Sequence, residues 1–593
     1  MAFVVLARIV TLIIILQNKG INMHKPSRFT HNTLLLALST SALVVLPFAA
    51  NAVVVSVPNT ARPENVQRQL QYEDRRPDVT GAPVISIQDQ SGKEIKGNVA
   101  FTLKSVQFEN GKELNVSELG QFYQSKIGKS VTLGELNQVA ANITTYYRNK
   151  GFILTRAVVP PQRINDGAVK IRIVEGYVND VQLKGDVGSQ SSVLYKYAEK
   201  IKQSKPLNAA TLERYLLLME DLPGVQARAV LQPSPTTPGA SQIIVNITRR
   251  TFEGSTIQVN NRGTRFMGPV QGTAILAANN LLKMDEQTSI RGINTIFYPD
   301  ELKYVGARHE MQLGSEGTKL VLDGNFVATK PGYTLEPFDV RGENYTVDAQ
   351  LVHPILRSRQ SNWFVNTDFS VQRANLSALD TNLYLDNLRV WTIGSSYDFI
   401  DSTTAVNRLE GAVSKGFDWD AGNDGLAHSR ANGKQSFWKA TANATRIQPI
   451  WGKWSAQAAV DGQYSNDPLF AAAEYTLGGQ QFLTAFDPAE ISGDSGVSGR
   501  LELQYNGTSD SKYFPAYQPY VFYDLGRVWN QDVVAASERK TASLSSTGAG
   551  MRFNVADSLT GSGEVAFPIN HKVATAGEDG DSLRIFFNLQ YRY

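Results

Sequence analysis

Gly493-Asp494-Ser495-Gly496 is the kind of tetrapeptide in which a trypsin-type hydrolase carries its nucleophile, and nothing else in this chain suggests covalent chemistry as directly. That chemistry needs an imidazole base beside the serine and a carboxylate to orient the imidazole. The six histidines are His24, His31, His309, His353, His428 and His571, and none has a recognisable protease context. Other chemistries are scarcer still. The chain has no cysteine, which removes disulfides, thiolate metal sites and cysteine nucleophiles together. It shows no metal-ligand cluster, phosphate loop or cofactor fingerprint. A net charge of +3 with no basic run excludes a nucleic-acid footprint. The chain therefore reads as a non-enzyme without catalytic, cofactor-binding or metal residues, and Ser495 as part of a turn.

What such a turn serves depends on the elements around it. The 593 residues leave room for three or more domains. Phe3 to Leu16 is apolar but shorter than the ~20 residues a spanning helix needs. Met23 opens a basic segment, then the apolar run TLLLALSTSALVVLPFAA, then Asn51-Ala52. Ala50-Asn51-Ala52 fits the small-x-small cleavage rule, so residues 1–52 are an export signal cut between Ala52 and Val53. Residues 1–22 are then an upstream extension, or the chain starts at Met23. No later segment has 18 consecutive apolar residues. Residues 53–76 read as an arm with one short polar helix, Pro63 in its first turn, and 77–100 as a linker.

From Phe101 to Arg249 strands and helices alternate in two β-α-α-β-β units, 101–175 and 176–250. Thr132 and Glu135 make a capping box, and Leu136, Val139, Ala140, Ile143 and Tyr147 one apolar stripe. After Arg250 helical spacing disappears. In 251–593 apolar and polar residues alternate: Leu583, Ile585, Phe587, Leu589, Tyr591 and Tyr593 share one face of the last segment. About 16 strands leave roughly 21 residues for each strand and its connection, which suits a transmembrane β-barrel better than a soluble sandwich. Tyr593, an aromatic end to the final strand, reads as an assembly signal.

This order resembles the haemolysin-activator (TpsB-type) outer-membrane transporters of two-partner secretion, over essentially all of 53–593. KIRIVEGYVNDVQLKG resembles the junction of that family's two polypeptide-transport-associated (POTRA) domains. NNRGTRFMGPVQGTAILAANNLL resembles its first barrel strands, and QPYVFYDLGRVWN a late one. The resemblance implies a mainly β fold, two α+β POTRA-like domains in the periplasm followed by a ~16-stranded barrel in the outer membrane. It also implies that the helix in 53–76 plugs the lumen. In YTLGGQQFLTAFDPAEISGDSGVSGRLELQY the segment resembles a loop folded back into the lumen. Gly478-Gly479 match its start, and Gly493-Asp494-Ser495-Gly496, with Asp494 and Gly496, the turn that follows.

The tip of that loop departs from the family pattern. Leu483-Thr484-Ala485-Phe486 puts Thr484 where the family has arginine, while Asp524 retains the place of that arginine's partner on the inner wall. Leu501, Leu503 and Tyr505 face lipid, so Arg500, Glu502 and Gln504 face the lumen, and Arg500 is the expected substitute partner of Asp524. Glu474, Glu502 and Asp524 read as isolated, solvated pore lining, and coupling of the solvated Arg500–Asp524 pair is expected at about 1 kcal/mol or less. The function implied is a pore that captures an unfolded exoprotein in the periplasm and secretes it, with no cofactor. Its partners are that client, outer-membrane lipid, and the barrel-assembly machinery and periplasmic chaperones during biogenesis. An insertase of the same superfamily and a diffusion porin are the alternatives.

Overall fold

The computed structural model describes residues 56–70, 85–87, 100–111, 116–189, 192–237, 240–419, 425–511, 513–533, 539–555, 558–569 and 583–593. The signal region, with Ala52 and Val53, lies outside them, as does the 77–100 linker apart from 85–87 and Ala100. The first long element is helix α1, Pro63–Leu70. Proline at its first position costs no hydrogen bond, because that amide has no helical partner.

Two small α/β units follow. In the first, Ser105–Glu109 pairs in parallel with Ala168–Val174, which pairs antiparallel with Arg156–Val158. Helix α2, Leu133–Asn149, packs on this sheet through Leu136, Val139, Ala140, Ile143 and Tyr147, all buried. Its start is fixed reciprocally: Glu135 N–H donates to the Thr132 hydroxyl at 3.2 Å and Thr132 N–H to the Glu135 carboxylate at 2.8 Å.

The second unit orders Val178–Gly185, Ser241–Arg249 and Val225–Pro233 into one sheet. Helices α3, Val193–Gln203, and α4, Ala209–Glu220, cover it, and Tyr197, Leu216, Ile243 and Val245 are among its fully buried residues. Ile85–Ile87 adds a fourth strand, parallel to Val225–Pro233 and in register Ile85↔Ala229.

The rest is a closed antiparallel barrel of 16 strands. Its strands are β1 Thr256–Asn260, β2 Gln271–Asn279, β3 Gln287–Thr295, β4 Leu302–Leu313, β5 Thr318–Thr329, β6 Arg341–Arg357, β7 Ser361–Ala378 and β8 Thr381–Ile400. They continue as β9 Val406–Gly416, β10 Trp438–Trp451, β11 Trp454–Ser465, β12 Ser495–Tyr505, β13 Ala516–Trp529, β14 Thr541–Val555, β15 Leu559–Pro568 and β16 Arg584–Arg592. Five pairs from Thr256↔Arg592 to Asn260↔Asn588 join β1 to β16 and close the ring. Alternation sets the two faces: Ile257, Leu276, Ile290, Val347, Leu501 and Ile585 are each more than half exposed, at 53–62%. Such apolar outward residues, with Trp363, Trp391, Trp438 and Trp454 among them, need a lipid surround. The wall is uneven. β1 has 5 residues, whereas β6, β7 and β8 have 17, 18 and 20.

The second unit sits on the end where β1 begins, here called the near end. Asp285, between β2 and β3, accepts from Val193 N–H at the start of α3 at 2.8 Å and pairs with Arg249 at 2.5 Å. Arg357 of β6 grips Asp221, just after α4, through two bonds of 2.6 and 2.8 Å. Glu316, between β4 and β5, accepts from Tyr215 at 3.0 Å and pairs with Lys200 at 2.7 Å. Burial and this carboxylate push the Tyr215 hydroxyl above its usual range.

Candidate functional site

The lumen holds two guests from its own chain. One is the segment between β11 and β12, residues 466–494. Its stem is a short antiparallel ladder, Tyr475–Leu477 with Ile491–Gly493. Gly478 and Gly479 then reverse the chain at φ of 114° and 102°, and a Cβ at Gly478 would stand 2.1 Å from the Asp487 carbonyl oxygen. Only glycine suits that position. The tip, Leu483 to Phe486, is closed by a 2.9 Å bond from Phe486 N–H to the Leu483 carbonyl. Leu483 and Phe486 pack with Tyr520, Phe522 and Phe586 of the wall.

Thr484 takes both a donor and an acceptor role at this tip. Its N–H and its hydroxyl donate to one oxygen of Asp524 at 3.1 and 3.2 Å, and the Ser546 hydroxyl donates to the same oxygen at 3.2 Å. Arg500 Nη1 donates to the Thr484 hydroxyl at 3.0 Å, and Arg500 Nε lies 3.7 Å from the other Asp524 oxygen. The Arg500 guanidinium lies 4.1 Å from the Phe522 ring centroid, and Nε approaches Glu502 at 3.3 Å. Arg552 holds Glu502 through two bonds of 2.6 and 3.0 Å, while Glu564 accepts from Tyr520 at 2.6 Å and pairs with Arg262 at 2.9 Å.

Three expectations need correction. The carboxylates are neither isolated nor solvated: Asp524 is fully buried and Glu502 nearly so, each facing cations. Glu474 is likewise buried, accepting from Ser492 at 2.6 Å with Arg430 at 3.6 Å. Arg500 is only 7% exposed, so its pairing is a buried one rather than a solvated one. Third, Gly493-Asp494-Ser495-Gly496 is not a reverse turn. Gly493 ends the lumen ladder, Ser495 starts β12, and one bend at Asp494 hands the chain from lumen to wall.

The residues of that bend are held tightly. Asp494 accepts from Arg430 at 2.5 Å, from Leu469 N–H at 2.7 Å and from Gln531 N–H at 2.8 Å. The Ser495 hydroxyl exchanges bonds with the Ser465 backbone at 2.9 and 3.2 Å, and among the described residues no imidazole bonds to it. Gly496 lets the Tyr475 ring lie flat on the chain, since a Cβ there would meet Cδ1 at 2.1 Å. Tyr593 carries a 3.0 Å bond from its N–H to the Ser255 carbonyl, and its ring meets Phe252 edge-on.

The second guest is α1. Glu64 accepts from the Tyr384 hydroxyl of β8 at 2.9 Å, and Gln67 donates to Thr346 of β6 at 2.7 Å and accepts from Asn344. Arg68 reaches the lumen loop, donating to the Ala472 carbonyl at 2.5 Å and to Thr476 at 3.2 Å. Asn59, just before the helix, donates to Ser492 at 2.9 Å. Helix and loop thus touch through hydrogen bonds and little apolar surface. Sequence reasoning missed Tyr384, Arg430, Arg552 and Glu564. Inward alternation marks Tyr384, Arg552 and Glu564 on their strands, but Arg430 sits in a loop that carries no such signal.

Residues 239–553 match the model of the family described as haemolysin secretion/activation protein ShlB/FhaC/HecB, and residues 101–176 match the POTRA domain of ShlB type. The chain is 23% identical to the heme/hemopexin transporter protein HuxB of Haemophilus influenzae over 88% of its own length and 94% of that protein. It is 21% identical to the outer membrane transporter CdiB of Dickeya dadantii, over 68% of this chain and 72% of that one. The solved structure of CdiB from Escherichia coli superposes with a TM-score of 0.69 at 17% identity, covering 90% of this chain and 96% of that one. CdiB from Acinetobacter baumannii gives 0.58 at 17% identity, with 89% and 96% covered. At such identity these two likenesses show the shared fold.

Proposed function

Because this chain belongs to the haemolysin secretion/activation protein family ShlB/FhaC/HecB, we propose that it captures one unfolded exported polypeptide at its N-terminal units and threads it through the lumen. It is an outer-membrane transporter of two-partner secretion, with periplasmic N-terminal units and a secreted exoprotein as its partner. The observation that carries the threading step is the set of side-chain hydrogen bonds that holds the two guests of the pore, beside two apolar contacts, Val66 of α1 and Phe486 of the loop tip against the wall. Helix α1 and the lumen loop are held by side-chain hydrogen bonds to the wall and to each other. Water or a passing peptide backbone replaces such bonds at small net cost, which an apolar seal would not permit.

Capture rests on sheet edges. An extended client adds a strand through main-chain hydrogen bonds, with alternate side chains entering pockets. Ile85–Ile87 covers one edge of the second unit. Among the described residues the opposite edge, Val178–Gly185, and the first unit's edges, Ser105–Glu109 and Arg156–Val158, carry no further strand. Val158 and Val174 stand exposed beside the last of these. The units work on no bound nucleotide in this reading, and client folding outside supplies the direction. Periplasmic chaperones and the barrel-assembly machinery act on the chain itself during insertion.

Two outcomes test the reading. Deleting residues 56–70 removes α1, and conductance in planar bilayers is expected to rise. Tyr384→Phe keeps the helix but removes a buried bond to Glu64, and openings are expected to become about tenfold more frequent for the ~1–3 kcal/mol such a loss costs. Unchanged conductance in the deletion would mean that α1 does not obstruct the pore. Separately, Tyr593 is assigned as the assembly signal. Its deletion is expected to lower the heat-modifiable outer-membrane fraction several-fold on gels, and equal recovery with wild type would remove that role.

A further inference from the structure

Three cations stand on the outer wall of β7, β8 and β9, one step beyond the apolar band at the far end. On β7 the outward series Trp363, Val365, Thr367, Phe369, Val371 ends at Arg373. On β8 Arg389 follows Trp391 toward the far end, and on β9 Lys415 follows Val413. Arg389 lies opposite Val371, and Lys415 opposite Trp391. Each cation is therefore the diagonal neighbour of the next, about 7–8 Å apart. The ten steps from Trp363 to Arg373 span roughly 33 Å of strand at ~3.3 Å each, which at barrel tilt crosses an apolar band of about 25 Å. The row thus sits at the level of lipid headgroups.

Cations on the turns of the same end toward β4 and β6 are answered by carboxylates. Lys330 and Arg341 are answered by Asp339 at 3.2 and 2.6 Å, and Lys303 by Asp300 at 2.8 Å. Arg373, Arg389 and Lys415 make no ion pair among the described residues; Glu343, diagonal to Arg373 on β6, pairs with none of them. Two are pre-oriented by neutral groups. Arg389 donates to the Trp419 carbonyl, and Lys415 donates to Ser436 at 3.0 Å with its ammonium 5.1 Å from the Trp438 ring centroid. Trp419 stacks on Phe417 and tilts against Phe369, giving the row an aromatic floor.

We propose that Arg373, Arg389 and Lys415 form a binding site for the phosphate groups of an anionic lipid of the outer leaflet. Guanidinium forks and an ammonium in line match phosphate oxygens in charge and geometry. The residues directly beneath, Val371, Trp391 and Val413, are exposed and apolar and meet the acyl chains of the same molecule. A free phosphate has no use for that lower half, so the ligand is a phosphorylated lipid.

The test compares the full-length protein in phosphatidylcholine vesicles with the same vesicles containing bis-phosphorylated lipid A, and a third sample given inorganic phosphate alone. Lipid retained through purification is read by native mass spectrometry, and protection by the thermal midpoint. Wild type is expected to retain lipid A and gain protection from it, but not from inorganic phosphate. The triple variant R373Q/R389Q/K415Q is expected to lose retention at roughly fivefold per cation removed. Arg527→Gln, an outward cation on β13, is the control and keeps both. Equal retention by wild type and triple variant overturns the site, and equal protection by inorganic phosphate overturns the lipid assignment. Should the triple variant fail to assemble, K415Q alone shows the fivefold loss or overturns the proposal.

Discussion

Asp524→Ala is expected to release the lumen loop. The substitution strips the buried Thr484 N–H and hydroxyl of their acceptor and leaves Arg500 facing only Glu502 and, at 3.8 Å, Glu564. Orphaned buried donors cost about 1–3 kcal/mol each, and Arg500 keeps two carboxylates, so the two Thr484 donors carry the loss. The docked loop should therefore lose several kcal/mol, read as protease cleavage between 478 and 490 and as noisier single-channel current. Arg500→Ala is expected to do less, because Thr484 and Ser546 still donate to Asp524. The double variant should fall short of the sum by more than ~1 kcal/mol, since burial strengthens the pair beyond a solvated one. Strictly additive effects would reject the pairing and leave packing around Phe486 as what holds the tip.

Excising residues 101–249 is expected to reduce client secretion to the background of cells lacking the transporter, while the barrel still assembles. The apolar clusters of the two units, around Ile143 and Ile171 in one and Leu216 and Val245 in the other, share no residue with the wall. The second unit meets the barrel through the polar set of Asp285, Glu316 and Arg357 and through Leu218 against Gly317, and its removal exposes these groups to water while leaving strand pairing intact. Secretion assayed in the medium and heat modifiability assayed on the membrane separate the two outcomes. Continued secretion by the shortened chain would sink client capture by these units.

The barrel is legible in the sequence because strand geometry has a period of two and lipid demands apolar residues on one face. Ile585, Tyr591 and Tyr593 are exposed while Phe586 between them is buried. The first turn of α2 is legible for a different reason, as Thr132 and Glu135 satisfy each other locally. Segments of three residues carry no period. Ile85–Ile87, Tyr475–Leu477 and Ile491–Gly493 owe their strand form to partners far along the chain, and the first of these sits in what reads as a linker. The tip is illegible for the same reason: the Thr484 N–H that binds Asp524 is a backbone group, present whatever the side chain. Likewise, a glycine-flanked Asp-Ser suggests a turn, and only the arrival of Arg430, Leu469 and Gln531 from three directions pulls Asp494 into a bend instead.

The position of α1 also constrains the order in which this molecule can be made. Gln69 donates to the Arg262 carbonyl 193 positions later, Gln67 reaches Thr346 across 279, and Asn59 reaches Ser492 across 433. The ring around them closes only when β16 meets β1, as in the Gln258–Asn588 bond spanning 330 positions. The helix leaves the ribosome before every barrel strand, yet the ring that encloses it is complete only once the last hairpin is in place. Contacts of such sequence separation pay loop-closure entropy before any return, which makes the last step slow and shifts it after insertion. Helix entry is therefore a late, separate kinetic phase. A freshly inserted chain should conduct ions as an open channel for a time and then silence itself.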